Sequence, residues 1–139
     1  MNLGAFACII AISEGTRERI NVDDYAGLAG RRPFLAAALS AFLLSLAGFP
    51  PLAGFFAKFY VFLAGVDAGL TWLVVVGVLN SVVSVFYYAR IIVAMYMRDP
   101  DEEQLGRPGW LTTAGLILAL LGVIILGLFP SAVLSLITG

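Results

Sequence analysis

The chain has 139 residues, 61% of them hydrophobic and only 12% charged, with 8 basic and 9 acidic side chains and a net charge of -1. Soluble domains average roughly 45–50% apolar and 25% charged residues, so this composition excludes an ordinary soluble fold and points to an integral membrane protein. No basic stripe follows a phosphate backbone, which excludes nucleic acid as a partner and leaves the lipid bilayer as the natural surround.

Histidine is absent and Cys8 is the single cysteine, so the chain cannot supply the ligands of an iron–sulfur cluster or the usual axial ligands of a haem. Neither a G-x-G-x-x-G nor a Walker-type loop is present, and no cofactor site is expected in this chain. Cys8, in an apolar stretch, reads as a small buried hydrophobe.

In chain order, residues 1–12 are almost wholly apolar, yet a dozen helical residues rise only about 18 Å against a hydrocarbon core of about 30 Å. They are expected to form a partial helix of a chain that begins inside a longer protein. A signal peptide is disfavoured, since no basic leader precedes the run and no small-residue cleavage site follows it. Residues 13–33 form a polar segment ending at Pro33, a residue suited to a helix start. The next apolar run, about 34–65, would be about 48 Å long as one helix, so a break or strong tilt is required. Gly48, Pro50, Pro51 and Gly54 supply the break: the prolines remove two backbone donors and bias Phe49 and Pro50 away from helical geometry.

Asp67 to Gly69 form a minimal turn, a third run covers 70–97, and the charged stretch from Arg98 stops it. The last span is expected over about 109–130, with Trp110 as an interfacial anchor and Pro130 near its end. The expected fold is therefore an all-α integral membrane protein. Residues 1–139 form a single membrane domain with a partial N-terminal helix and three transmembrane spans, the first broken at Gly48–Pro51. Segment 13–33 holds four arginines and segment 98–109 holds Arg98 and Arg107, whereas the 66–69 turn and the C-terminus hold no basic residue. The positive-inside rule then sets both arginine-bearing segments in the cytoplasm and the C-terminus outside.

Lys58 is the only lysine, and it lies about seven residues, or about 10 Å along a helix, from both Pro51 and the end of its run. A lysine inside a span costs about 2.5–3.5 kcal/mol on insertion scales, so it either snorkels to the interface or faces a bundle interior or wet cavity. In the second case it is a candidate proton carrier: burial penalises the ammonium, a moving counter-charge favours it, and the amine can load and release a proton. Discontinuous helices mark ion sites in many transporters, which favours that reading. Phe55, Val61 and Phe62 are spaced to share its helix face as an apolar sleeve, and no acid in the chain is placed to pair with it. On the third run Asn80, Ser84, Tyr87 and Tyr88 recur at spacings of three and four. They are read either as the lining of a water file or as interhelical hydrogen-bond glue. Arg90 either reaches the cytoplasmic interface or sits against a neighbouring subunit.

The string GFPPLAGFFAKFYVF, from Gly48 to Phe62, resembles subunit N of the proton-pumping NADH–quinone oxidoreductase, respiratory complex I. DDYAGLAGRRP from Asp23 to Pro33, SLAG from Ser45 to Gly48, and FYYARIIVAMYM from Phe86 to Met97 resemble the same family in the same order. Ala57 and Ala89 are small departures, standing where the family commonly has glycine and leucine. The resemblance implies that the chain is the C-terminal third of an antiporter-like subunit, and that Lys58 is the exit-side member of a proton-transfer chain. Its glutamate and lysine partners lie on earlier helices absent here. It further implies other membrane subunits of complex I as partners, with NAD, FMN, iron–sulfur clusters and quinone held in those partners. The expected location is the inner (plasma) membrane. The related membrane component of a multisubunit sodium/proton antiporter, which shares the broken helix, and a purely structural membrane spacer are the competing readings.

Overall fold

The computed structural model describes residues 1–13, 21–50, 52–99 and 109–129. Pro51, Pro130 and the arginines Arg17, Arg19 and Arg107 lie outside the described residues. Among the described residues every regular element is helical: α1 Asn2–Ser13, a 3-10 turn Val22–Tyr25, α2 Leu28–Arg31, α3 Pro33–Ala47, α4 Ala53–Asp67, α5 Thr71–Met97 and α6 Trp110–Leu128.

α3 is the central element. Pro33 occupies its first turn, where a missing N–H costs no helical hydrogen bond. Its buried positions include Leu35, Ala36, Ala38, Leu39, Phe42, Leu43 and Ser45, spread around most of its circumference. That distribution fits a helix covered on all sides, and α3 does pack against α1, α2, α4, α5 and α6. α1 lies between α3 and α6, placing Cys8, Ala11 and Ile12 in the same core as Phe42, Met95 and Leu116. Cys8 is thus a buried core residue.

The apolar run from Phe34 onward is two helices. α3 and α4 have 15 residues each, about 22 Å apiece, so neither crosses a bilayer alone. α5, with 27 residues, and α6, with 19, are long and apolar enough to cross one. Their outward faces are strongly apolar, with Val75, Val82, Phe86, Leu118 and Ile125 among the exposed side chains. Outside a bilayer or a protein partner such a surface would drive aggregation.

One end of the bundle is polar. The Gly27 N–H donates to the Ala94 carbonyl at 3.2 Å, and the Arg98 guanidinium pairs with the Asp23 carboxylate. Segment 21–32 and the end of α5 therefore lie at the same level, as two flanks of one membrane face would. Asn21 N–H donates to the Asp24 carboxylate at 2.8 Å and holds the start of the 3-10 turn.

The close approach of α4 to α3 depends on Gly54. A Cβ there would sit 1.6 Å from the Ser45 carbonyl oxygen, a backbone atom that cannot swing aside. Gly54→Ala is expected to destabilise the fold by about 1–3 kcal/mol, the usual range for overpacking. Gly115→Ala on α6, where nothing stands within 4 Å of an added Cβ, should be neutral or slightly stabilising. Thermal unfolding of the two variants in the same detergent micelle measures the difference.

Candidate functional site

The site is built at the join of α3 and α4. α3 ends because Gly48 adopts φ +89°, in the left-handed region that disfavours a side chain. The Gly48 N–H donates to Ser45 O at 3.1 Å and the Phe49 N–H to Leu44 O at 3.0 Å. This pair of bonds closes the helix C-terminus in the Schellman arrangement. Leu52 is extended, and α4 starts at Ala53. Its first turn carries N–H groups without helical partners. The Gly54 N–H finds the Ser45 hydroxyl at 3.1 Å, and Ser45 itself is completely buried. One serine therefore joins the last turn of α3 to the first turn of α4.

Lys58 lies one helical turn beyond Gly54, and its side chain crosses back over the end of α3. Its Nζ donates to the Ala47 carbonyl at 3.2 Å, while an added Cβ on Gly48 would meet Lys58 Cδ at 3.2 Å. The amine thus rests at the negative end of the α3 dipole, where a cation is favoured. A cavity of about 250 Å³ opens beside it, lined by Leu46, Gly54, Ala57, Val61 and Phe62 as well as Lys58. Val61 and Phe62 form part of the apolar sleeve expected from their spacing. Phe55 instead stacks on Phe59, with ring centroids 6.1 Å apart. Among the described residues no carboxylate bonds to Lys58, and no group of three histidine, cysteine or acidic side chains is arranged to hold a metal ion. The arrangement is an amine in an apolar pocket with a carbonyl as its partner, which suits reversible proton uptake and not bond chemistry.

The polar residues of α5 do not gather on this cavity. Ser84 donates to its own helix, at Asn80 O, over 2.9 Å. Tyr88 is half-buried against the core, whereas Tyr87 is exposed and meets the edge of Phe86. Successive helical residues differ by about 100° in direction, so Tyr87 and Tyr88 face different neighbours and the expected single stripe is two. Asn80 and Tyr87 lie on the outer one, and Arg90 is exposed beside them.

Ser45, Gly54 and the Ala47 carbonyl are functional elements that spacing alone does not mark. Ser45 and Gly54 stand nine residues apart across a break, where no helical period connects them, and a backbone carbonyl carries no sequence signal.

Comparison with known proteins decides the family. The family model described as NADH:quinone oxidoreductase/Mrp antiporter, TM, matches residues 1–84, which takes in both halves of the broken helix and Lys58. The chain belongs to this family. It is similar to NADH-quinone oxidoreductase subunit N of Chloroflexus aggregans, with 43% identity over 98% of the chain and 28% of that relative. For subunit N of Trichlorobacter lovleyi the identity is 48% over 97% of the chain and 28% of that relative. Among solved structures it resembles a chain of respiratory complex I from Thermus thermophilus with bound aureothin. The TM-score is 0.82 and the identity 32%, covering 96% of the chain and 31% of that one. The chain thus spans about 28% of the length of the curated relatives it matches. It is a membrane protein of the antiporter-like class.

The Ser45 hydroxyl serves a buried N–H that would otherwise go unpaired. Ser45→Ala is expected to cost about 1–3 kcal/mol, the penalty for a buried donor left unsatisfied. Ser40→Ala should cost little, because the Ser40 hydroxyl bonds only the Ala36 carbonyl of its own helix, at 2.7 Å. Denaturation midpoints of the two variants in one lipid or detergent system separate the effects.

Proposed function

We propose that this chain is the C-terminal third of an antiporter-like subunit of a proton-pumping NADH–quinone oxidoreductase, in which Lys58 is a proton relay. The observation that carries the reading is the position of the Lys58 amine, 3.2 Å from the Ala47 carbonyl at the break between α3 and α4, within a family of quinone oxidoreductase and antiporter membrane domains. The names of the relatives favour the oxidoreductase over the sodium/proton antiporter.

In this reading residues 1–139 act as one membrane domain and carry no redox centre. NAD, FMN, iron–sulfur clusters and quinone belong to partner subunits, and other membrane subunits of the complex flank the chain. It resides in the plasma membrane, with the arginine-bearing segments in the cytoplasm and the C-terminus outside. The pairing of Asp23 with Arg98 supports a common side for those segments.

The relay step is simple. A proton arriving at the neutral Lys58 amine makes an ammonium, which the Ala47 carbonyl and the α3 dipole stabilise. A positive charge approaching from a neighbouring site, or water entering the adjoining cavity, tips the balance and the proton leaves. Electron transfer in partner subunits supplies the driving force, and α4 supplies the station. Ser84, Tyr87 and Tyr88 on α5 are secondary candidates, as lining for water that connects this station to others.

In the assembled complex Lys58→Ala is expected to lower proton translocation per electron transferred, with Lys58→Arg partly preserving assembly because the charge remains. Proton uptake by inverted vesicles during NADH oxidation measures it. Unchanged pumping in Lys58→Ala would refute the relay role, and sodium-dependent growth defects with normal NADH oxidation would instead indicate an ion exchanger.

A further inference from the structure

The outer face of α5 carries polar groups that a lipid surround leaves unsatisfied. Asn80, Val83, Tyr87 and Arg90 follow at spacings of three, four and three, so they share one side of the helix. All four are exposed. Among the described residues no hydrogen bond or ion pair engages the Arg90 guanidinium, in contrast to Arg98, which pairs with Asp23.

Depth along the helix decides what this face meets. Ala94, whose carbonyl accepts the Gly27 N–H, marks the level of the polar end, and Arg90 lies one turn inside it. An arginine there can turn back to the headgroups. Asn80 has no such route, since it lies ten residues further along the helix, about 15 Å deeper. A side-chain amide turned to hydrocarbon forfeits its hydrogen bonds, and polar side chains within spans are normally found at helix–helix contacts. The amide, the phenol and the guanidinium in one row are therefore the pattern of a protein interface.

A second copy of this chain does not supply the counter-charge. Among the described residues, Asp67 ends α4 at the far side of the bundle, and Asp23, Asp24 and Asp99 belong to the polar end. No described acid stands at the depth of Arg90.

We infer that the Asn80–Tyr87–Arg90 face of α5 docks against a transmembrane helix from outside these 139 residues, one that presents an aspartate or glutamate to Arg90. The surface is separate from the Lys58 cavity and does not depend on proton transfer there.

A photoreactive phenylalanine analogue in place of Tyr87, in the full-length protein in its native membrane, tests the contact. The expected cross-link is to a helical membrane peptide containing an acidic residue. Arg90→Glu should lower the yield of assembled complex roughly tenfold or more, as loss of a desolvated charge pair does. Replacing the partner's acid with arginine in the Arg90→Glu background should restore the yield, which a merely misfolded variant would not allow. Cross-linking to phospholipid alone, a partner helix without an acid, wild-type assembly of Arg90→Glu, or failure of the charge swap to rescue would each overturn the inference.

Discussion

Placing the first turn of α4 against the last turn of α3 creates a problem that lipid makes severe: the backbone between Ala47 and Ala53 leaves helical geometry at a depth where no bulk water can serve its polar groups. The chain meets this locally. The Gly48 and Phe49 N–H groups fold back onto Ser45 and Leu44 carbonyls, the Gly54 N–H takes the Ser45 hydroxyl, and the Ala47 carbonyl takes Lys58. Each bond requires the two helix ends to overlap, and overlap requires that Gly54 have no side chain. The position of Lys58 follows from this join, because α4 is rigid over the single turn between Gly54 and Lys58.

That geometry also shapes what Lys58 can do. Its partner is a carbonyl, assisted by the partial charge of a helix end, and not a carboxylate. A hydrogen bond involving one charged group contributes about 1.5–3 kcal/mol, whereas breaking a buried ion pair costs about 3–5 kcal/mol. The weaker partnership leaves the proton on Lys58 responsive to a charge arriving nearby. A locked ion pair would hold it. The apolar lining from Leu46, Val61 and Phe62 keeps the local dielectric low, so that such an arriving charge is felt strongly.

Much of this was legible in the sequence because it rests on composition and local chemistry. The broken run announces itself through Gly48, Pro50 and Pro51, and Lys58 stands out because a charge in a span is expensive. The turn at Gly69 and the helix start at Pro33 are equally local signals. The Ser45–Gly54 contact was not legible, because it joins two helices across an irregular segment whose path no period describes. The α5 polar residues misled for a different reason. Spacings of three and four tolerate a wide arc, and Asn80, Ser84, Tyr87 and Tyr88 fit within it, yet the arc straddles the boundary between the packed and exposed faces. Only the neighbours of α5 show that Tyr88 packs inward while Tyr87 does not.

The two cations within the spans pose opposite problems, and the difference separates what this chain settles internally from what it leaves to a neighbour. Lys58 is half-buried, rests on a carbonyl of its own chain and faces a cavity of its own making. Arg90 is exposed, on a helix whose most apolar stretch has no buried residue within the chain. An amine that must gain and lose a proton is best held by weak, fixed dipoles close at hand. A guanidinium is charged at any accessible pH and offers a planar fork of donors, so it suits permanent recognition better than proton exchange. The distribution of the two residue types matches that division: the titratable group sits where the chain controls its surroundings, and the permanent charge faces outward from α5, where it can fix the register of a partner helix.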